Sequence, residues 1–161
     1  MRMFQVIRSF PIFLVMFLGL TAQAAVSNLP EDTPRPQPEI HLTPDEVVRI
    51  VMSALANNDE PYPDAGIETT FKFASPQNKV NTGPLEKFTS MVKSYPYDAM
   101  VNHLKSDISE VVMVGPDAYL WVKLITQEGT EVAYAFRLSQ QRDGKFQGMW
   151  MTDAVWPVEK P

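Results

Sequence analysis

"SDISEVVMVGPDAYLWVKLITQEGTEVAYAFRLSQQRDGKFQGMWMTDAVW", residues 106–156, decides the fold. Its apolar residues recur with a period near two rather than 3.6, the spacing of strands. Four runs read as strands: "SDISEVVMV", "AYLWVKLIT", "EVAYAFRLSQQ" and "KFQGMWMTDAVW". They are separated by "GPD", "EG" and "RDG", which carry tight-turn chemistry. Four strands joined by short turns predict an antiparallel meander.

Two-residue turns at Pro116-Asp117, Glu128-Gly129 and Asp143-Gly144 would set the register of this meander. Glu110 then faces Lys123, Lys123 faces Tyr134, and Tyr134 faces Asp153, giving one polar row. Val112, Trp121, Phe136 and Met151 flank it on one side. Ile108, Ile125, Val132 and Val155 flank it on the other. Leu120, Val122, Leu124, Ala133, Ala135, Arg137, Trp150 and Thr152 fall on the opposite face. The first face has the larger side chains and is expected to point inward. Its polar row is therefore a candidate pocket, because ionisable groups with mutual partners in a cavity mark functional sites. A structural ion-pair ladder is the competing reading, and the favoured one. The opposite face is too apolar to meet water alone, which predicts a homodimer covering it.

Upstream, the period returns to 3.6. "LTPDEVVRIVMSALANND" opens with Thr43 as N-cap, Pro44 at the first helical position and Glu46 closing a capping box. Val47, Val48, Val51 and Leu55 make its inward stripe. Asp64 caps a second helix in "DAGIETTFKFASP", with Ile67, Thr70, Phe71 and Ala74 on one face. That helix stops before Pro76. "QNKVNTG" is expected to be a loop. "GPLEKFTSMVKSY" restarts a helix at Pro84, with Leu85, Phe88, Met91 and Val92 inward. Helices followed by a meander predict an α+β fold, with helices on one face of a curved four-stranded sheet. Ser75-Pro76 and Gly83-Pro84 have backbone reasons to stand where they do. This favours scaffold over a catalytic loop for that segment.

The start of the chain has a different character. Arg2 and Arg8 precede "FPIFLVMFLGL", and Ala22 and Ala24 follow at the small positions of an A-x-A site. That order predicts a signal peptide over residues 1–24, cleaved between Ala24 and Ala25. An uncleaved membrane anchor is the alternative. The apolar run is short of the roughly 20 residues a spanning helix needs, so no stable membrane insertion is expected after cleavage. Residues 25–42 hold Pro30, Pro34, Pro36 and Pro38 and read as a linker, with His41 solvated. One domain is expected over 43–157.

Loss of Arg2 and Arg8 changes 14 basic and 19 acidic residues to 12 and 19, a net charge of about −7. An acidic surface repels nucleic acid and anionic lipid, so neither is an expected partner. The absence of cysteine excludes disulfides, thiol nucleophiles and cysteine metal sites. Export places the protein in the periplasm or outside the cell.

Catalytic signatures are missing: no G-x-S-x-G, no phosphate-cradling glycine loop, no G-x-G-x-x-G and no H-E-x-x-H. His41 and His103 are the only histidines, which excludes a histidine-rich metal site. No cofactor is expected. His103 could act as a general base, but an edge histidine bonded to backbone is the favoured reading.

Helices followed by a strongly bent meander resemble the cone-shaped nuclear-transport-factor-2-like fold of ketosteroid isomerases and SnoaL-type cyclases. More narrowly, "FKFASPQN", "TGPLEKFTSMV" and the late "WMTD" resemble a family of bacterial and plastid domains of unknown function, DUF4864-like, over roughly residues 45–156. The resemblance implies a fold and an apolar cavity, not a reaction. The favoured function is a non-catalytic module binding a small apolar ligand or a partner. The alternative is an isomerase- or cyclase-type enzyme using a pocket carboxylate and a tyrosine.

Overall fold

The computed structural model describes residues 34–158, which belong to one compact unit, Pro34–Pro161. The expected signal peptide, its Ala24–Ala25 junction and residues 25–33 of the expected linker lie outside the described residues. Four helices precede an antiparallel sheet of five strands. The helices are α1 (Pro44–Ala56), α2 (Ala65–Phe73), α3 (Pro76–Thr82) and α4 (Leu85–Val92). The strands are β1 (Lys105–Ile108), β2 (Val112–Val114), β3 (Asp117–Ile125), β4 (Glu131–Gln140) and β5 (Trp150–Pro157).

Helix α1 follows its sequence signals. The Thr43 backbone N–H donates to the Glu46 carboxylate at 2.8 Å. Val47, Val48, Val51, Met52 and Leu55 are all buried. At its far end the chain knots into a polar hub around the buried Asn58. The Asn58 amide donates to Asp59 and Asp64, and its oxygen accepts from the Ile67 N–H at 3.0 Å. Asp64 stands at the start of α2, as expected. Its carboxylate, however, is taken by Asn58 and by Lys93, which holds it below the usual carboxylate range. Helix α2 crosses α1 at Gly66, where a Cβ would lie 2.1 Å from the Ala54 carbonyl oxygen. Only glycine allows that approach.

The segment expected to be a loop is helix α3. Ser75 and Pro76 end one helix and begin the next: the Ser75 hydroxyl accepts from the Asn78 N–H at 3.1 Å, and Pro76 occupies the first helical position. Gly83, at φ +85°, closes α3.

The first predicted strand is two strands, β1 and β2, both antiparallel to β3. Between them the register slips by one residue: Ile108 pairs with Val122, whereas Val112 pairs with Tyr119. The Ser109 hydroxyl accepts the Trp121 N–H at 2.9 Å within this slip. The sheet order is β1-β3-β4-β5, with β2 also on β3.

The turns correct the expected register. The β3–β4 loop has three residues, not two: the Thr126 N–H donates to the Thr130 carbonyl, and Gly129 sits at φ +78°. An odd loop length turns one strand over relative to the other. Lys123 therefore pairs with Ala133 and Asp107, and Tyr134 pairs with Val122. Lys123 and Tyr134 point to opposite faces, and the predicted polar row does not exist. The face expected to be outward on β3, with Leu120, Val122 and Leu124, is the buried one. The β4 residues Tyr134, Phe136 and Leu138 share that core with α1, Ile67, Phe73 and Phe88. The β4–β5 connection is longer than a tight turn, and β5 carries a one-residue irregularity. Arg137 pairs with Ala154 but Leu138 pairs with Thr152, leaving Asp153 as the extra residue.

The end of the expected linker makes contacts. Arg35 lies 3.1 Å from the Glu68 carboxylate and over the Tyr62 ring, while His41 is exposed beside Glu39.

Candidate functional site

A cavity of about 220 Å³ lies between the helices and the β5 end of the sheet. Val51 and Leu55 of α1 line it, as do Thr70 and Ala74 at the end of α2. Asn78, Asn81 and Thr82 of α3 and Phe88, Met91 and Val92 of α4 form a second wall. Phe136 and residues 152–155 form the sheet side, and Tyr97 and Met100 complete the lining. The wall is mostly apolar, as small-molecule pockets are.

The α2–α3 junction builds this space. Ala74 makes a parallel bridge to Thr152, and the Ser75 N–H donates to the Thr152 carbonyl at 2.9 Å. The Asn78 amide donates to the same carbonyl at 3.2 Å. These bonds tie the start of α3 to β5. The "FASPQN…TGPLEKF" segment is thus scaffold through its caps and cavity wall through Asn78, Asn81, Thr82 and Phe88.

Residues 152–155 all line the cavity, and Asp153 among them is the extra residue of the β4–β5 pairing. The Thr152 hydroxyl is buried and has no hydrogen-bond partner among the described residues. A buried hydroxyl without a partner costs free energy on the order of 1–3 kcal/mol. Asp153 is the one carboxylate of the wall, and no Lys, Arg or His lines it.

Of the residues singled out from sequence, Phe136 and Asp153 line the cavity. Tyr134 is buried beside it, but its hydroxyl donates to the Pro96 carbonyl at 2.5 Å. Burial, and then the nearby Asp98, push the Tyr134 phenol up to about 12. Tyr97 is the tyrosine that reaches the cavity; its hydroxyl donates to the Val155 carbonyl at 3.3 Å. His103 is buried with Nδ1 2.8 Å from the Met100 carbonyl oxygen, away from the cavity lining. Met151 is fully buried but one residue out of phase with the lining. Glu110, Trp121 and Lys123 are exposed and belong to no common site with these. Thr152, Asn78 and Tyr97 escaped the sequence reading as site residues. The Ser75-Pro76 start signal, read as such, would have pointed to α3 and its polar residues.

Beyond the cavity, Lys79 of α3 places its ammonium 5.1 Å from the Phe71 ring and 5.3 Å from the Phe146 ring. Burial, and then Lys145, lower its pKa. On the outer sheet face Trp121 and Trp156 are about two-fifths exposed, and Tyr119 meets Trp156 edge-on at 6.4 Å. Arg137 lies on the same face with a buried Nε that lacks a partner among the described residues.

Among the described residues no His, Cys, Asp or Glu cluster could hold a metal, and no helix is long and apolar enough to cross a membrane. The chain belongs to the family described as Domain of unknown function (DUF4864), whose model matches residues 41–159. No curated protein and no solved structure matches it.

Proposed function

We propose that this member of the family is an exported, non-catalytic module that binds a small, largely apolar molecule in the cavity between the helices and β5. The observation that carries the reading is the cavity itself: about 220 Å³ with a mostly apolar wall. An apolar cavity on the order of 150 Å³ is enough to take up benzene, so this one suits a single substituted ring or a short chain. Helices lying over one face of the sheet support the cone-shaped, nuclear-transport-factor-2-like arrangement, in which such a cavity belongs. The order Arg2, Arg8, apolar run and Ala22-x-Ala24 supports export. The enzyme alternative is weaker than it was on sequence alone, because the Tyr134 hydroxyl is committed to Pro96 and His103 does not line the cavity.

The test is ligand binding followed by two-dimensional NMR and thermal unfolding with benzyl alcohol and indole. Ligand that binds only the folded state should raise the melting temperature with concentration and shift resonances of residues 152–155. Met91→Trp, which fills the cavity, should abolish both effects. Resonances of residues 152–155 unmoved at millimolar ligand would overturn the proposal.

We further propose that a second copy of the chain covers the outer sheet face. Exposed Trp121 and Trp156 together with the unpartnered Arg137 Nε favour it. Sedimentation at tens of micromolar, the scale of a weak complex, should give a dimer that Trp121→Glu dissociates; a monomer rejects this part.

A further inference from the structure

We infer that the occupant of this cavity carries an ammonium or amine group on its apolar body and is not an acid. The inference rests on the cavity-binding reading above and adds a chemical class to it.

The argument is a census of the polar atoms on the wall. The Thr82 hydroxyl donates to the Asn78 carbonyl at 3.0 Å, and the Thr70 hydroxyl donates to the Gly66 carbonyl at 2.9 Å. The Tyr97 hydroxyl donates to Val155, and the Asn78 amide donates to Thr152. The Thr70, Thr82 and Tyr97 hydroxyls are thus used within the protein, while one of the two Asn78 amide N–H groups is not. Asn81 still has an amide N–H₂ to give, but it is exposed at the rim. One ionisable group of the wall remains for a ligand: the Asp153 carboxylate, which makes no hydrogen bond or ion pair among the described residues through its side chain.

Asp153 is the extra residue of the bulge, and it lines the cavity. An ionised carboxylate accepts hydrogen bonds and donates none. With no cation on the wall to balance it, it attracts a positive group and repels a negative one. Charge-assisted hydrogen bonds are the strong kind, and they strengthen where water is partly excluded. An alkyl- or arylamine suits this wall: its ammonium donates to Asp153, and its ring or chain fills the space between Phe88, Met91 and Phe136. A carboxylic acid of the same shape meets Asp153 charge to charge. Lys79 does not rescue it, because its ammonium donates to the Lys72 carbonyl and lies over Phe71 and Phe146, outside the lining.

Three probes of one shape test this on the purified full chain: benzylamine, benzyl alcohol and benzoate, titrated at pH 7 and low ionic strength by NMR. Benzylamine should bind at least about tenfold more tightly than benzyl alcohol, the size of effect a charge-assisted hydrogen bond produces. Benzoate should bind most weakly. Asp153→Asn should erase the preference for the amine over benzyl alcohol. Should that variant fold poorly, salt gives the same answer. Raising ionic strength from about 0.01 M to 1 M shortens the screening length from about 30 Å to 3 Å, which should weaken benzylamine binding and spare benzyl alcohol. Benzoate binding as well as benzylamine, or an amine preference that survives both Asp153→Asn and high salt, would overturn the inference. If benzyl alcohol binds without any amine preference, the cavity reading stands and this one falls. If none of the three binds, both fall together.

Discussion

The two faces of β3 differ less in how apolar they are than in what covers them. Leu120, Val122 and Leu124 are buried to within 1% of their surface. Trp121 and Lys123, each one residue away, are exposed. Judged by bulk alone, the face with the tryptophan should have gone inward. Helices choose otherwise. Compact aliphatic side chains interdigitate under helices at native density, whereas a tryptophan buries much of its ring and still keeps an edge in water. Size therefore says how much a residue can bury, not which side of a sheet will be covered.

The strongest way to break the contrast is to lift the cover. Gly66→Ala puts a methyl group 2.1 Å from a backbone oxygen of α1, where neither helix can yield cheaply. It should cost about 3 kcal/mol or more, measured by chemical denaturation, and expose the inner face of β3 to hydrogen exchange.

Next comes the contrast itself. Leu120→Ala should cost about 3 kcal/mol, roughly 10 °C in melting temperature for a domain of this size. Trp121→Ala should cost less than about 1 kcal/mol under dimer-free conditions. Equal costs would mean the faces are assigned the wrong way round.

The smallest effect sharpens the boundary between cover and sheet. Tyr134 joins the inner face to the segment after α4 through its bond to Pro96. Tyr134→Phe should cost about 1 kcal/mol at neutral pH. An unfolded tyrosine ionises near 10, while the folded one holds its proton until about 12. The native state thus binds more protons in between, and stability should fall as pH rises through that window. Tyr134→Phe should flatten this part of the pH profile and remove the absorbance step near pH 12.

Where the signal was local, the sequence could be read. Thr43, Pro44, Glu46 and the valine stripe announced α1, and the change of period at residue 106 announced the sheet. Helix α3 was missed because Ser75-Pro76 is both a stop for one helix and a start for the next, and only the stop was read. The register failed for a countable reason: "EG" suggested a two-residue turn, but Thr126 and Thr130 close a three-residue one. One residue then reversed the β3 face relative to β4, dissolving the Lys123–Tyr134 row. Asp153 and Phe136 line the cavity, although the row that suggested them does not exist. Thr152 could not be found locally, because its place on the cavity wall depends on the bulge and on bonds from Ala74, Ser75 and Asn78.

Those bonds tie residues almost eighty positions apart in the chain. Pairings of such long sequence separation are slow to form, because a large loop must close before any contact rewards it. During synthesis, the helices emerge well before the strand that completes their cavity. Until β5 is in place the helical wall has no floor, and its apolar lining has nothing to close against. On the binding function proposed above, competence is the last property this chain acquires, and uptake of a small ligand would serve as a read-out that the whole domain, through its final strand, has been assembled.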